Sequence, residues 1–162
     1  MTIVFYSHSP RLGAGAEESL LSIVRELSKR HSCYVVVPGE GDMANELKKH
    51  GVKTLISTYP WTSNSYNQLT YKHPRNSFRL LKNQIKRKKQ LKKTVKEQIP
   101  IIRKIKPDLI YSNTSVINIG LQVAKKLNVK HIWHLREHQA YDNEVQPDFG
   151  RFYFKKLLNS SD

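Results

Sequence analysis

Only one cysteine, Cys33, occurs in 162 residues, so no disulfide can close within the chain. Acidic residues are scarce: 13 Asp and Glu stand against 28 Lys and Arg, a net charge of +15. A balance that basic attracts phosphates, nucleic acid or anionic lipid. No apolar run approaches the roughly 20 residues needed to cross a bilayer. The opening Met-Thr-Ile-Val-Phe-Tyr lacks the basic stretch and long apolar stretch of a secretory signal. The expected location is therefore a reducing cytoplasm, with membrane contact peripheral, on the inner face. Internal repeats are absent as well. What is present is enough apolar material, 38% of residues, for one core, and the length is that of a single domain over 1–162. Cys33 opens a Val-rich run and reads as a small buried hydrophobe rather than a reactive thiol.

Short apolar runs alternate with helical patterns, which predicts a parallel sheet covered by helices. Strands are expected at Ile3–Tyr6, Tyr34–Val37, Lys53–Ile56, Leu109–Tyr111 and His131–Leu135. Between them the spacing of Leu20, Ile23, Val24 and Leu27 predicts a helix over Ala16–Arg30. Asp42 is expected to cap a helix over Met43–His50, with Gly51 ending it in a left-handed conformation. Periodicity fails from Tyr59 to about Ser77, where Pro60, Asn64, Asn67, Pro74 and Asn76 accumulate, so a long loop is expected. A basic helical insertion over about 72–106 follows, kinked or restarted at Pro100. Helices over Ser115–Leu127 and from Phe152 to Leu158 complete the pattern. The expected fold is α/β: a Rossmann-like, doubly wound parallel sheet with helices on both faces. In such a sheet ligands bind beyond the carboxyl ends of the strands.

Three groups of residues could carry chemistry. The first is the glycine-bearing loop Ser7–Glu17, whose amides at a helix N-terminus could hold a phosphate or could simply turn the chain. A dinucleotide fingerprint would need glycine where Glu18 stands, and no Gly-Lys-Ser/Thr of a P-loop occurs, so a nicotinamide cofactor is not expected. The second is His131-Ile132-Trp133-His134-Leu135-Arg136-Glu137-His138. Strand alternation places His131 and Trp133 on one face and Ile132 and His134 on the other, which argues against a shared metal ion. The third is the basic segment: residues 72–106 hold 14 of the 28 Lys and Arg with Glu97 as their one acid, so they carry +13 and the remainder only +2. Lys86, Arg87, Lys88, Lys89, Lys92 and Lys93 lie in a helical pattern with an apolar opposite side. A solvated helix face and a docking face for anionic membrane both fit this. Few aromatics interleave with the lysines, so a base-stacking platform for nucleic acid is not indicated.

At these residues the chain resembles the N-terminal, acceptor-side half of GT-B glycosyltransferases, specifically the retaining family 4 group. The likeness rests on Ser7-His8 through Gly15-Ala16-Glu17-Glu18-Ser19-Leu20-Leu21, on Pro38-Gly39-Glu40-Gly41, on Ile105-Lys106-Pro107-Asp108-Leu109-Ile110-Tyr111-Ser112-Asn113-Thr114, and on Ile132-Trp133-His134-Leu135-Arg136-Glu137. It spans nearly the whole chain and is weakest from Tyr59 to Lys96. The resemblance implies that Gly13, Ala14, Gly15 and Ala16 offer amides to the diphosphate of a nucleotide-sugar donor. It also implies that His134 lies by the transferred sugar and the acceptor, with Asn113, Arg136 and Glu137 on the acceptor side. No metal and no resident cofactor are expected, the nucleotide sugar being a substrate. Saccharides or lipid-linked saccharides of surface polysaccharide synthesis are the implied acceptors.

Two departures from the family pattern matter. Ala14 stands where the first glycine of a pair is usual. The family's donor-binding C-terminal domain is expected to be missing, and the chain to be truncated before the last strand of its first domain, to bind acceptor and to be inactive alone. A rival reading is a basic Rossmann-like module that docks on anionic membrane or nucleic acid and performs no chemistry.

Overall fold

Runs such as Cys33-Tyr34-Val35-Val36-Val37, β-branched and apolar on successive residues, can be buried on both faces only inside a parallel sheet. The computed structural model, which describes residues 1–13, 15–65, 74–136 and 145–161, builds that sheet from β1 (Thr2–Tyr6), β2 (Ser32–Val37), β3 (Lys53–Ile56), β5 (Leu109–Asn113) and β6 (Lys130–His134). The five strands run parallel in the order β3-β2-β1-β5-β6, with Val4 opposite both Tyr34 and Ile110. Central β1 is the most deeply buried.

Alternation along β1 sends its side chains to two cores. Ile3 and Phe5 pack with Leu20, Leu21 and Val24 of α1 (Gly15–Ser28) and with Met43, Ala44 and Leu47 of α2 (Asp42–Lys49). Val4 and Tyr6 point the other way, onto Leu91, Val95 and Ile102 of α3 (Pro74–Ile105) and Ile119 and Val123 of α4 (Ile119–Leu127). Helices thus cover both faces, which is the doubly wound arrangement that the apolar pattern predicts. Gly120 lets α4 approach the sheet: a Cβ there would lie 2.2 Å from Ser112 Oγ. Cys33 is buried and free, as a small hydrophobe should be.

Several boundaries differ from expectation. α3 is one helix of 32 residues that begins at Pro74 and does not restart at Pro100. Proline costs about 3 kcal/mol inside a helix, but Ile102, two residues on and so on the opposite side, is buried in the core, and Pro100 sits on the exposed side. α4 starts at Ile119 rather than Ser115, because residues 114–118 turn away from β5. Asp42 does not cap α2; its Oδ1 accepts instead from the Leu12 amide at 2.8 Å. Gly51 does end that helix with φ +71.

The expected loop after Tyr59 contains a strand, β4 (Ser63–Ser65), paired antiparallel with β7 (Val145–Pro147) just before α5 (Gly150–Leu158). Arg87 of α3 explains why so short and polar a ribbon holds. Its Nε donates to Asp148 Oδ2 at 2.9 Å and its Nη2 to Asn64 Oδ1 at 2.6 Å and to Asp148 Oδ1, while Asn64 Nδ2 donates to Asp148 Oδ1 at 3.0 Å. Among the described residues no helix is long and apolar enough to cross a membrane.

Candidate functional site

The carboxyl ends of β1, β5 and β6 meet at one edge of the sheet, where the loop to α1 begins. Ser7 continues β1 by donating its amide to Val36 O at 3.0 Å, and its hydroxyl donates to Ser9 O at 2.8 Å. The loop then leans on α2. The Met43 amide donates to Pro10 O at 3.2 Å, and a Cβ on Gly41 would lie 2.1 Å from that same oxygen, so only glycine fits there. Gly13 has φ +123, and α1 begins at Gly15, which is exposed. Gly15 and Ala16 therefore present the first amides of a fourteen-residue helix at the sheet's ligand edge, the arrangement that suits an anion. Ala14 lies outside the described residues.

Both sides of that first turn are pinned. Glu17, only 4% exposed, receives His8 Nε2 on its Oε1 at 2.9 Å. On the other side Asn113, fully buried at the end of β5, donates its Nδ2 to Ala16 O at 3.0 Å. Asn113 Oδ1 in turn accepts Arg136 Nε at 2.8 Å, and Arg136 Nη2 reaches His134 Nδ1 at 3.3 Å. The Tyr111 hydroxyl also bonds His134 Nδ1, with the two rings edge-on 5.9 Å apart. A guanidinium can only donate, so this contact favours the neutral His134 tautomer in which Nδ1 accepts and the proton lies on Nε2. Burial pushes the Tyr111 phenol up, against the pull of the Arg136 charge and hydrogen bond, so the phenol remains a donor.

Three residues expected to act together, Asn113, His134 and Arg136, thus form one hydrogen-bonded group against the start of α1. Glu137 lies outside the described residues. Alternation along β5 puts Tyr111 on the face of Asn113, and it is this period of two, applied one strand earlier, that marks Tyr111 as a partner. His131 and Trp133 face away as expected: His131 is buried against Ser112 Oγ at 2.9 Å, and its ring meets that of Trp133 at 6.1 Å. Among the described residues no three His, Cys, Asp or Glu side chains gather to hold a metal ion.

Two further features had no signal in local sequence. Residues 57–65 cross the sheet edge from β3 toward β5: Ser57 N donates to Val37 O, Tyr59 OH to Val36 O and Ser7 O, Trp61 Nε1 to His8 O at 2.9 Å, and Thr62 N to Val116 O. This strap leaves Trp61 beside the His8 ring, with centroids 5.8 Å apart. Thr114 is the second feature. It has φ +78, unusual for a β-branched residue, and its hydroxyl is buried without a hydrogen-bond partner. Among the expected docking residues Lys86, Lys88, Lys89, Lys92 and Lys93 are exposed on α3. Lys88 lies over the Phe149 ring at 5.0 Å, and Arg87, turned onto buried Asp148, is a structural clamp and not one of the exposed cations expected to dock.

No family model matches the sequence, and no curated protein matches it. Solved structures do match in fold. HepE of Anabaena in complex with UDP-glucose superposes with a TM-score of 0.58 at 19% identity, covering 99% of this chain and 34% of that one. MurG of Acinetobacter baumannii gives 0.58 at 11% identity, covering 99% and 39%. The spinosyn rhamnosyltransferase SpnG complexed with spinosyn aglycone gives 0.55 at 10% identity, covering 88% and 36%. The chain spans about a third of the length of these proteins. What the likeness establishes is the fold: a Rossmann-like α/β domain of the kind found in GT-B glycosyltransferases.

Proposed function

We propose that this domain is the acceptor-binding part of a glycosyltransferase, which moves a sugar from a nucleotide-sugar donor to a saccharide or lipid-linked acceptor in surface polysaccharide synthesis. The observation that carries the reading is the continuous bonded group Ala16–Asn113–Arg136–His134–Tyr111, set at the ligand edge of a fold shared with glycosyltransferases. In transfer, the bond from the donor's anomeric carbon to the diphosphate oxygen breaks as a bond to the acceptor oxygen forms, and the acceptor's hydroxyl proton passes to the departing diphosphate. Negative charge then grows on the departing diphosphate. The α1 amides from Gly15 onward stabilise that charge by their partial positive end, without a metal ion.

His134 holds a sugar hydroxyl in this scheme. With Nδ1 accepting from Arg136 and Tyr111, the ring serves as an Nε2–H donor and not as a base, so it orients rather than deprotonates. In this reading turnover requires a second domain that holds the nucleotide, and this domain by itself binds acceptor without catalysis.

The test is a chemical-shift titration of the isotope-labelled chain with a panel of nucleoside diphosphate sugars and of mono- and disaccharides. Shifts concentrated at Gly13–Glu17, Asn113, His134 and Arg136, and lost in His134→Ala, are expected. Shifts confined to other surfaces, or none with any member of the panel, would overturn the reading.

A further inference from the structure

The lysines of α3 are accompanied by large apolar side chains that face outward. Phe78 is 73% exposed, Leu81 49% and Ile85 43%. Steps of three and four residues put these three on one stripe of the helix, and Lys82, Lys86 and Lys89, all exposed, lie among and beside them. A solvated helix face has no reason to carry Phe, Leu and Ile in register. The next steps along the same stripe are Lys88 and Lys92, which lead into a groove of about 530 Å³ between α3 and α4. Leu91, Val95 and Ile99 line this groove, with Lys88, Lys92, Lys96 and Lys126 also on its walls.

We propose that the first half of α3 is a membrane-docking face, in which Phe78, Leu81 and Ile85 enter the interface of an anionic bilayer. Two observations select this occupant. The apolar stripe is narrow, flanked by charge, and lies on a helix too polar to cross a membrane, which is the make-up of a helix lying in the interfacial plane. The charge is also of one sign: +13 over residues 72–106, with Glu97 the one acid. That complements a sheet of lipid phosphates. Lys92, Lys96 and Lys126 extend the positive surface along the groove, where headgroups would sit. Arg87, turned inward on Asp148, holds this part of α3 to the β4–β7 ribbon and so fixes the angle at which the stripe is presented. The proposal does not depend on the chemistry performed at the sheet edge.

The experiment is sedimentation of the full chain with vesicles of phosphatidylcholine, with and without one third phosphatidylglycerol. Binding at least tenfold stronger to the anionic vesicles is expected, weakened but not abolished by salt. The triple variant Phe78→Ser, Leu81→Ser, Ile85→Ser, which keeps every lysine and alters only exposed positions, should lose at least tenfold, with an unchanged thermal melt. In an Ile85→Trp variant the fluorescence should shift to the blue on anionic vesicles and be quenched by bromine-labelled acyl chains. His134→Ala should bind vesicles as the unmodified chain does. Equal binding by the triple serine variant, or an Ile85→Trp spectrum that vesicles leave unchanged, would overturn insertion and leave only charge. Stronger binding to duplex nucleic acid than to vesicles would overturn the choice of partner.

Discussion

The indole N–H of Trp133 donates to the Thr114 carbonyl at 2.7 Å, while the Thr114 amide donates to His134 O at 2.9 Å. Between them these bonds hold a β-branched residue at φ +78 where β5 leaves the sheet. The tip of β5 is thereby locked to the tip of β6, which keeps Asn113 facing α1 and His134 facing Tyr111.

Thr114→Gly should release that conformational cost, about 1–3 kcal/mol, and remove a buried hydroxyl that lacks a partner. Lost methyl burial and the extra freedom of glycine offset part of the gain. A net stabilisation of about 1 kcal/mol is expected in denaturant titration. Trp133→Phe, which removes the bond to Thr114, should destabilise by about 1 kcal/mol.

Arg136 and Tyr111 both meet Nδ1 of His134 and favour the tautomer with its proton on Nε2. Nitrogen chemical shifts of the imidazole should report the Nε2–H form in the unmodified chain. In Arg136→Met, with one of the two donors to Nδ1 gone, a mixture of tautomers is expected. A ring that stays wholly in the Nε2–H form would assign the control to Tyr111 alone.

Asp148 is 5% exposed and accepts from both Arg87 and Asn64. Removing one partner of such a pair leaves the other uncompensated, at a cost of about 3–5 kcal/mol. Arg87 keeps some access to water, so the lower end is expected for Asp148→Ala, read from the denaturation midpoint. The loss should be accompanied by amide shifts in both β4 and β7.

Gly41→Ala forces a Cβ against Pro10 O, a backbone atom that cannot rotate away. A cost of about 1–3 kcal/mol is expected, together with altered amide signals at Leu12 and Met43. Gly51→Ala has open space around it but φ +71. It should cost about 1 kcal/mol through the backbone alone, and leave the 7–13 loop undisturbed.

Burial raises the phenols of Tyr6 and Tyr59 far above their ordinary values. Above about pH 10 the unfolded chain releases these protons while the folded chain retains them. The unfolded state then binds fewer protons, so stability falls as pH rises. The two groups together should remove about 2.7 kcal/mol per pH unit above pH 10, and nothing below it. An alkaline titration should show these two tyrosines ionising only as the chain unfolds.

Local pattern was enough for the frame of this protein. Val35-Val36-Val37 and the three- and four-residue spacing of α1 declare buried strands and amphipathic helices because burial acts on nearest neighbours along the chain. The placing of Gly13, Gly15, Ala16, Asn113, His134 and Arg136 at one sheet edge follows from that frame, since a parallel sheet brings successive carboxyl ends together. Contacts between distant, weakly patterned residues were beyond such reasoning. Ser63–Ser65 carries no alternation, and it becomes a strand only because Arg87 and Asp148, 61 positions apart, meet beside it. Pro100 argues for a break that the burial of Ile102 overrules. Asp42 looks like a helix cap until the loop carrying Leu12 arrives to take its carboxylate. Composition and periodicity determined the sheet, its helices and the positive charge of α3. Tertiary structure alone decided which cations stay exposed and which nitrogen of His134 accepts, because both depend on partners that only the folded chain brings within hydrogen-bonding distance.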